Sequence, residues 1–146
     1  DLLSMKGLGN ASRGRAAFFA GRGACVTCHR VEGIGGTIGP DLSKIGLIRQ
    51  PKDLLEAILF PSSTIVNGFE TYEIATHSGE IYSGVIQRQT PKVIHIKNAA
   101  QQETQVPREQ IEALRMSAVS TMPEGLDQTL SDVGLLDIVE FLVFCR

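Results

Sequence analysis

Cys25 and Cys28 stand three residues apart and His29 follows at once, giving the run Cys25-Val26-Thr27-Cys28-His29. Side chains three apart share a face on one helical turn. Both thiols can therefore reach the two vinyl groups of one porphyrin and form thioethers. The imidazole next in line can then turn to the iron as its proximal ligand. Cys-x-x-Cys-His is accordingly the attachment signature of a c-type haem. Two other chemistries use similar residues. A structural zinc site wants four ligands, usually two spaced pairs, and the chain has no second Cys-x-x-Cys and no His-x-x-x-His. A thioredoxin-like dithiol follows a strand in a βαβ setting, whereas this pair follows Gly21-Arg22-Gly23 behind a short helical stretch. Haem attachment is the leading reading.

An iron held by one imidazole has a sixth position to fill. A vacant one binds small molecules; a filled one favours electron transfer. The candidates are Met5, Met116, Met122, His77 and His95. Met122 stands in Ser120-Thr121-Met122-Pro123-Glu124-Gly125-Leu126. Pro123 biases it toward extended backbone, in a stiff loop that can aim a thioether inward. That setting outweighs the ordinary role of a methionine as core filler, and Met116 is the runner-up. His77 abuts a turn and His95 falls on the more polar face of a strand, so both read as ordinary surface histidines.

The elements that must position these residues follow from the patterning. Residues 10–20 read as a short helix capped by Asn10, with Gly14 and Phe18 on one face. Glu32 to Pro40 is a glycine-rich loop without the Gly-Lys-Ser/Thr of a phosphate cradle, suited to folding tightly around a flat cofactor. Pro51 to Phe60 is a second helix, started by Pro51 and stopped by Pro61. Residues 69–106 alternate with period two, turning at Ser78-Gly79 and breaking at Pro91, which predicts a small antiparallel β unit. Pro107 to Arg115 is ambiguous between a helical turn and a strand. The final helix is capped by Ser131, with Leu130 and Leu135 at staple spacing. Its stripe of Leu135, Ile138, Val139 and Leu142 is expected to bury against the Gly14/Phe18 face.

The chain has 146 residues, one domain or one domain with an embedded module. A net charge of −2 argues against a nucleic-acid groove or a polybasic membrane patch, and no window is long and apolar enough for a spanning helix. Asp1 opens the sequence without a signal peptide, as expected of a mature form or an excised domain. Of three cysteines, two belong to the haem run. Cys145 reads as a small buried residue on the last helical turn, ahead of a disulfide partner or reactive thiol.

In their order along the chain, Gly14 and Phe18, Cys25/Cys28/His29, Gly39-Pro40, Met122-Pro123 and a terminal amphipathic helix resemble a class I cytochrome c. More narrowly, the chain resembles the haem-binding domains at the ends of large planctomycete and verrucomicrobial proteins. The likeness lies in Cys-x-x-Cys-His-Arg-Val, Ile38-Gly39-Pro40-Asp41-Leu42, Phe60-Pro61-Ser62 and Met122-Pro123-Glu124-Gly125-Leu126, nearly end to end. The resemblance implies a mainly α, class I cytochrome c fold over residues 1–146. A small antiparallel β insertion at 67–115 would lie between the haem-binding half and the axial Met122 loop. It also implies that Pro40 offers its carbonyl to the His29 Nδ1, which would fix the ring and raise its basicity.

The expected function is electron transfer through one haem c, bonded to Cys25 and Cys28 and ligated by His29 and Met122. The chain would then be a relay and not an enzyme. Its partner would be a redox protein or a fused dehydrogenase domain, and its compartment periplasmic or otherwise extracytoplasmic; both rest on the resemblance. The alternative is a haem-based small-molecule sensor or peroxidase-like site with a displaceable distal ligand. A third reading makes haem a fold staple and the β unit the active, partner-binding part.

Overall fold

The computed structural model describes residues 9–21 and 24–146. Helix α1 (Ala11–Phe19) starts at Asn10, whose side chain accepts the Arg13 N–H at 2.9 Å, satisfying one of the orphan donors of a helix start. A single turn, α2 (Cys25–Cys28), follows, and then a two-stranded hairpin of β1 (Arg30–Val31) and β2 (Ile34–Gly35). A 3-10 turn (Ile45–Leu47) leads to α3 (Pro51–Leu59), where Asp53 accepts the Gln50 N–H. Five strands come next: β3 (Thr71–Thr76), β4 (Ile81–Gln89), β5 (Val93–Lys97), β6 (Glu103–Pro107) and β7 (Ile111–Met116). The chain closes with a short α4 (Leu126–Thr129) and with α5 (Asp132–Val143), capped by the Ser131 hydroxyl on the Gly134 N–H.

The two ends of the chain cross at Gly14. A Cβ there would stand 1.8 Å from the Asp137 carbonyl oxygen and 2.9 Å from the Phe141 Cβ, so a residue without a side chain is required for this approach. Next to the crossing, the Asp137 carboxylate accepts the Asn10 N–H at 2.6 Å and the Arg13 Nε–H and Nη2–H at 2.7 and 2.9 Å. Phe18 lies 5.6 Å from Phe141 between ring centroids. The expected stripe on α5 proves too narrow. Leu135, Leu136, Asp137, Ile138, Val139, Phe141 and Leu142 are all buried, because α1 lands on the Asp137–Phe141 edge and leaves the rest to α3 and the loops. Leu135, Ile138, Val139, Phe141 and Leu142 form one apolar core with Leu54, Leu55 and Ile58 of α3. Cys145 is in it, its thiol 3.5 Å from the Phe141 carbonyl.

The five-stranded sheet has the order β6-β5-β4-β3-β7, every neighbour antiparallel. A second apolar cluster, Ile74, Ile94, Ile96 and Val106, is made from sheet residues alone. The ambiguous stretch 107–115 holds both forms, a 3-10 turn (Arg108–Gln110) and then β7. His95 corrects the expectation of a surface histidine. It is 6% exposed, and its Nδ1 lies 3.0 Å from Glu103 Oε1. Its strand face, shared with Val85 and Lys97 by register, is covered where period-two reading makes it the solvent side.

The expectation of a mainly α protein with a class I cytochrome c fold is overturned. Helices hold only 32% of the structure, and the two sheets make it mixed α and β. Two causes are visible. The alternating residues between Thr71 and Met116 build a sheet large enough to keep a core of its own, not a minor addition to helices. The glycines between Gly33 and Gly39 favour a hairpin and irregular loop over helix, and α2 ends after one turn because His29 is extended at ψ 145°.

Gly14→Ala is expected to cost about 1–3 kcal/mol by overpacking, read as a lower denaturant midpoint. Arg13 holds the Asp137 carboxyl below the usual carboxylate range, first through its hydrogen bonds. A depressed carboxylate contributes stability that is present above its unfolded pKa, about 3.9 for Asp, and lost as pH falls through the folded value. Thermal melts should therefore weaken below about pH 4, and Asp137→Asn should start lower at pH 7 and show a flatter acid slope.

Candidate functional site

The single turn of α2 sets the two thiols. Ala24 enters it in left-handed backbone, φ 55°, and the His29 N–H closes it on the Cys25 carbonyl at 2.8 Å. Both cysteines are partly buried and unbridged. Burial pushes both thiols up from their ordinary pKa, the opposite of the lowered values that activate a redox dithiol.

His29 leaves α2 extended and turns back onto the glycine loop. Its Nδ1 lies 2.9 Å from the Pro40 carbonyl oxygen, so Nδ1–H donates and Nε2 keeps its lone pair. Burial lowers the imidazole pKa and the Pro40 bond opposes this, with burial the larger effect; the ring is neutral at pH 7. Gly39 donates its N–H to the Cys28 carbonyl at 2.9 Å. A Cβ on Gly39 would fall 2.6 Å from His29 Cε1, so the ring lies flat against bare backbone.

Cys28, His29, Ile38 and Pro40 share one cavity of about 330 Å³ with Leu54 and Ile58 of α3, Leu142 of α5 and Met122. That volume falls in the range of small-molecule and cofactor sites. Cys25 is not on its wall but packs against the helical core. The Met122 loop is pinned at two points: Ser120 Oγ accepts the Met122 N–H at 3.1 Å, and Ser62 Oγ accepts the Ser120 N–H at 3.2 Å.

The other candidate ligands are elsewhere. Met116 ends β7 at 63% exposure, His77 is exposed in a turn, and His95 is in the sheet. None of the three lines the cavity. Met5 lies outside the described residues. Sequence reading missed Arg49, Asp53 and Glu56, which also line it; nothing in their type or spacing marks them, since α3 carries Asp53 and Glu56, and the segment before it Arg49, there only when the helix docks.

No protein-family model matches the chain, and no curated protein matches it either. The class of site is therefore argued from its own geometry. Among the described residues no group of three or more His, Cys, Asp or Glu converges as a metal site, and no helix is long and apolar enough to cross a membrane. The Cys28 thiol, the His29 imidazole and the Met122 thioether line one largely apolar hollow, and the Cys25 thiol sits one turn away, outside its wall. The donor types are those a haem would use: His29 and Met122 could hold its iron, and Cys28, with Cys25 beside the hollow, its periphery.

Gly39→Ala should drive a methyl into the imidazole and break its bond to Pro40. Ring-nitrogen NMR of His29 checks this. The Nδ1–H tautomer is expected to dominate in the wild type and to give way to mixed tautomers in the variant.

Proposed function

We propose that the chain is a monohaem electron-transfer domain, with haem c bonded through Cys25 and Cys28 and with His29 and Met122 as axial ligands. The observation that carries this reading is the His29–Pro40 bond on the wall of a cavity that Met122 also lines. Bound there, haem would supply one-electron Fe(II)/Fe(III) exchange, with methionine raising the potential.

The chain's own residues do the positioning. Pro40 fixes the His29 tautomer and ring orientation and raises its basicity, and Gly39 gives the ring its room. Ser62 and Ser120 hold the Met122 loop in one conformation, which limits geometric change between redox states. Ile38, Leu54, Ile58 and Leu142 give the hollow apolar walls. One imidazole and one thioether are too few ligands for a bare ion, but they suit an iron that arrives in its own macrocycle. The residues thus favour haem over zinc.

In this reading the chain is a single domain with a β-rich insertion at 67–115. It is a relay and not an enzyme, serving a redox partner protein or a fused dehydrogenase domain in an extracytoplasmic compartment. The resemblance to class I cytochromes c in the Cys25-to-His29 run, Gly39-Pro40 and Met122-Pro123 supports the relay role, the partner and the compartment, while the β unit is where the chain departs from that family.

Visible spectra of the wild type and of Met122→Ala test the proposal. The wild type should carry covalent haem, show a thioether-to-iron band when oxidised and bind CO slowly when reduced. Met122→Ala should lose the low-spin signature, fall in potential and bind CO fast. Fast CO binding by the wild type without the thioether band would overturn electron relay in favour of the sensor alternative.

A further inference from the structure

Electron relay leaves the sheet unexplained, yet one turn of it reaches the attachment site. Asn98 builds the turn between β5 and β6. Its Oδ1 accepts the Ala100 and Gln102 N–H groups at 3.0 Å each, and its Nδ2 donates to Gln102 Oε1 at 3.1 Å. This geometry puts Gln101 at φ 63°, a left-handed backbone that an L side chain without local hydrogen bonding adopts at a cost. The Gln101 side chain spends that conformation on a distant contact: its Nε2 donates to Cys28 Sγ at 3.9 Å.

The glycine loop receives the turn. A Cβ on Gly36 would stand 1.9 Å from the Thr27 carbonyl oxygen and 3.0 Å from Gln101 Oε1, so no side chain fits between them. Beside it, Lys97 Nζ donates to Thr37 Oγ1 at 3.0 Å, and Thr37 Oγ1 donates to Gln87 Oε1 at 3.2 Å. These bonds tie the face of β4 and β5 to the loop that carries Pro40. Val85 and His95 are buried on that same face.

We propose that Gln101 is a positioning residue of the haem site, acting through the Cys28 sulfur, so that the sheet sets part of the reduction potential. The inference rests on the haem reading. An amide N–H aimed at a sulfur bonded to the haem edge brings a partial positive charge there. That favours the state with the extra electron, and partial burial strengthens the effect.

The test is redox titration of the holoprotein, with covalent haem content and melting temperature measured alongside. Gln101→Asn suits left-handed backbone but is one methylene too short to reach Cys28. It should keep haem content and melting temperature and lower the midpoint potential. Gln101→Glu keeps the reach and replaces the donor with a negative charge, and should lower the potential further. Potentials equal to or above the wild type in both variants, at full haem content, would overturn the inference and leave the haem reading standing. If Gln101→Glu does not fold, the Asn variant alone decides. A wild type without covalent haem would remove both.

Discussion

Helix α1 meets α5 backbone to backbone at Gly14, and the Asp137 carboxylate locks the approach from the side. Van der Waals contact at this point needs a residue with no Cβ, and the buried carboxylate needs the Asn10 N–H and the Arg13 guanidinium to be tolerated there. Once the crossing forms, Phe18 and Phe141 close the core, α3 packs on α5, and Leu142 is left facing the cavity. The position of the hollow between His29 and Met122 is thus a consequence of how the chain ends join.

The sheet meets this body through hydrogen bonds, not through a shared apolar core. Its own cluster of Ile74, Ile94, Ile96 and Val106 is separate from the helical one. Contact with the glycine loop runs through Thr37, Gln87, Lys97 and Gln101, and Ser62 ties the segment after α3 to the loop after β7. Polar contacts are directional, so they can hold the glycine loop in register without adding bulk to it. That suits a sheet whose first and last strands, β3 and β7, open directly into the segment after α3 and the Met122 loop.

Much of the helical body was legible in local signals. Asn10, Ser131 and Pro51 mark their helix ends because capping and proline geometry depend on a few neighbouring residues. The strands between 71 and 106 follow from alternation, β7 lay in a stretch that read as ambiguous, and the bond from His29 to Pro40, expected from resemblance, is present at 2.9 Å. His95 was misread because alternation reports which residues share a face and not what covers that face. The expectation of a mainly α protein failed in the same way: most strands of the large sheet were recognisable, but whether they formed an appendage or a sheet with its own core depended on pairings between distant residues.

Residue types and short spacings settle what can be done within one turn or one loop. They put two thiols and an imidazole side by side, set Gly39 next to Pro40, and gave Met122 a stiff proline-bounded setting. Nothing local could bring Met122 to the same cavity as His29, aim Gln101 at Cys28, or seat Asp137 against α1. Those proximities join residues 73 or more positions apart in the cases of Gln101 and Asp137. They exist because burying two apolar cores in one chain leaves the loops between them few ways to run.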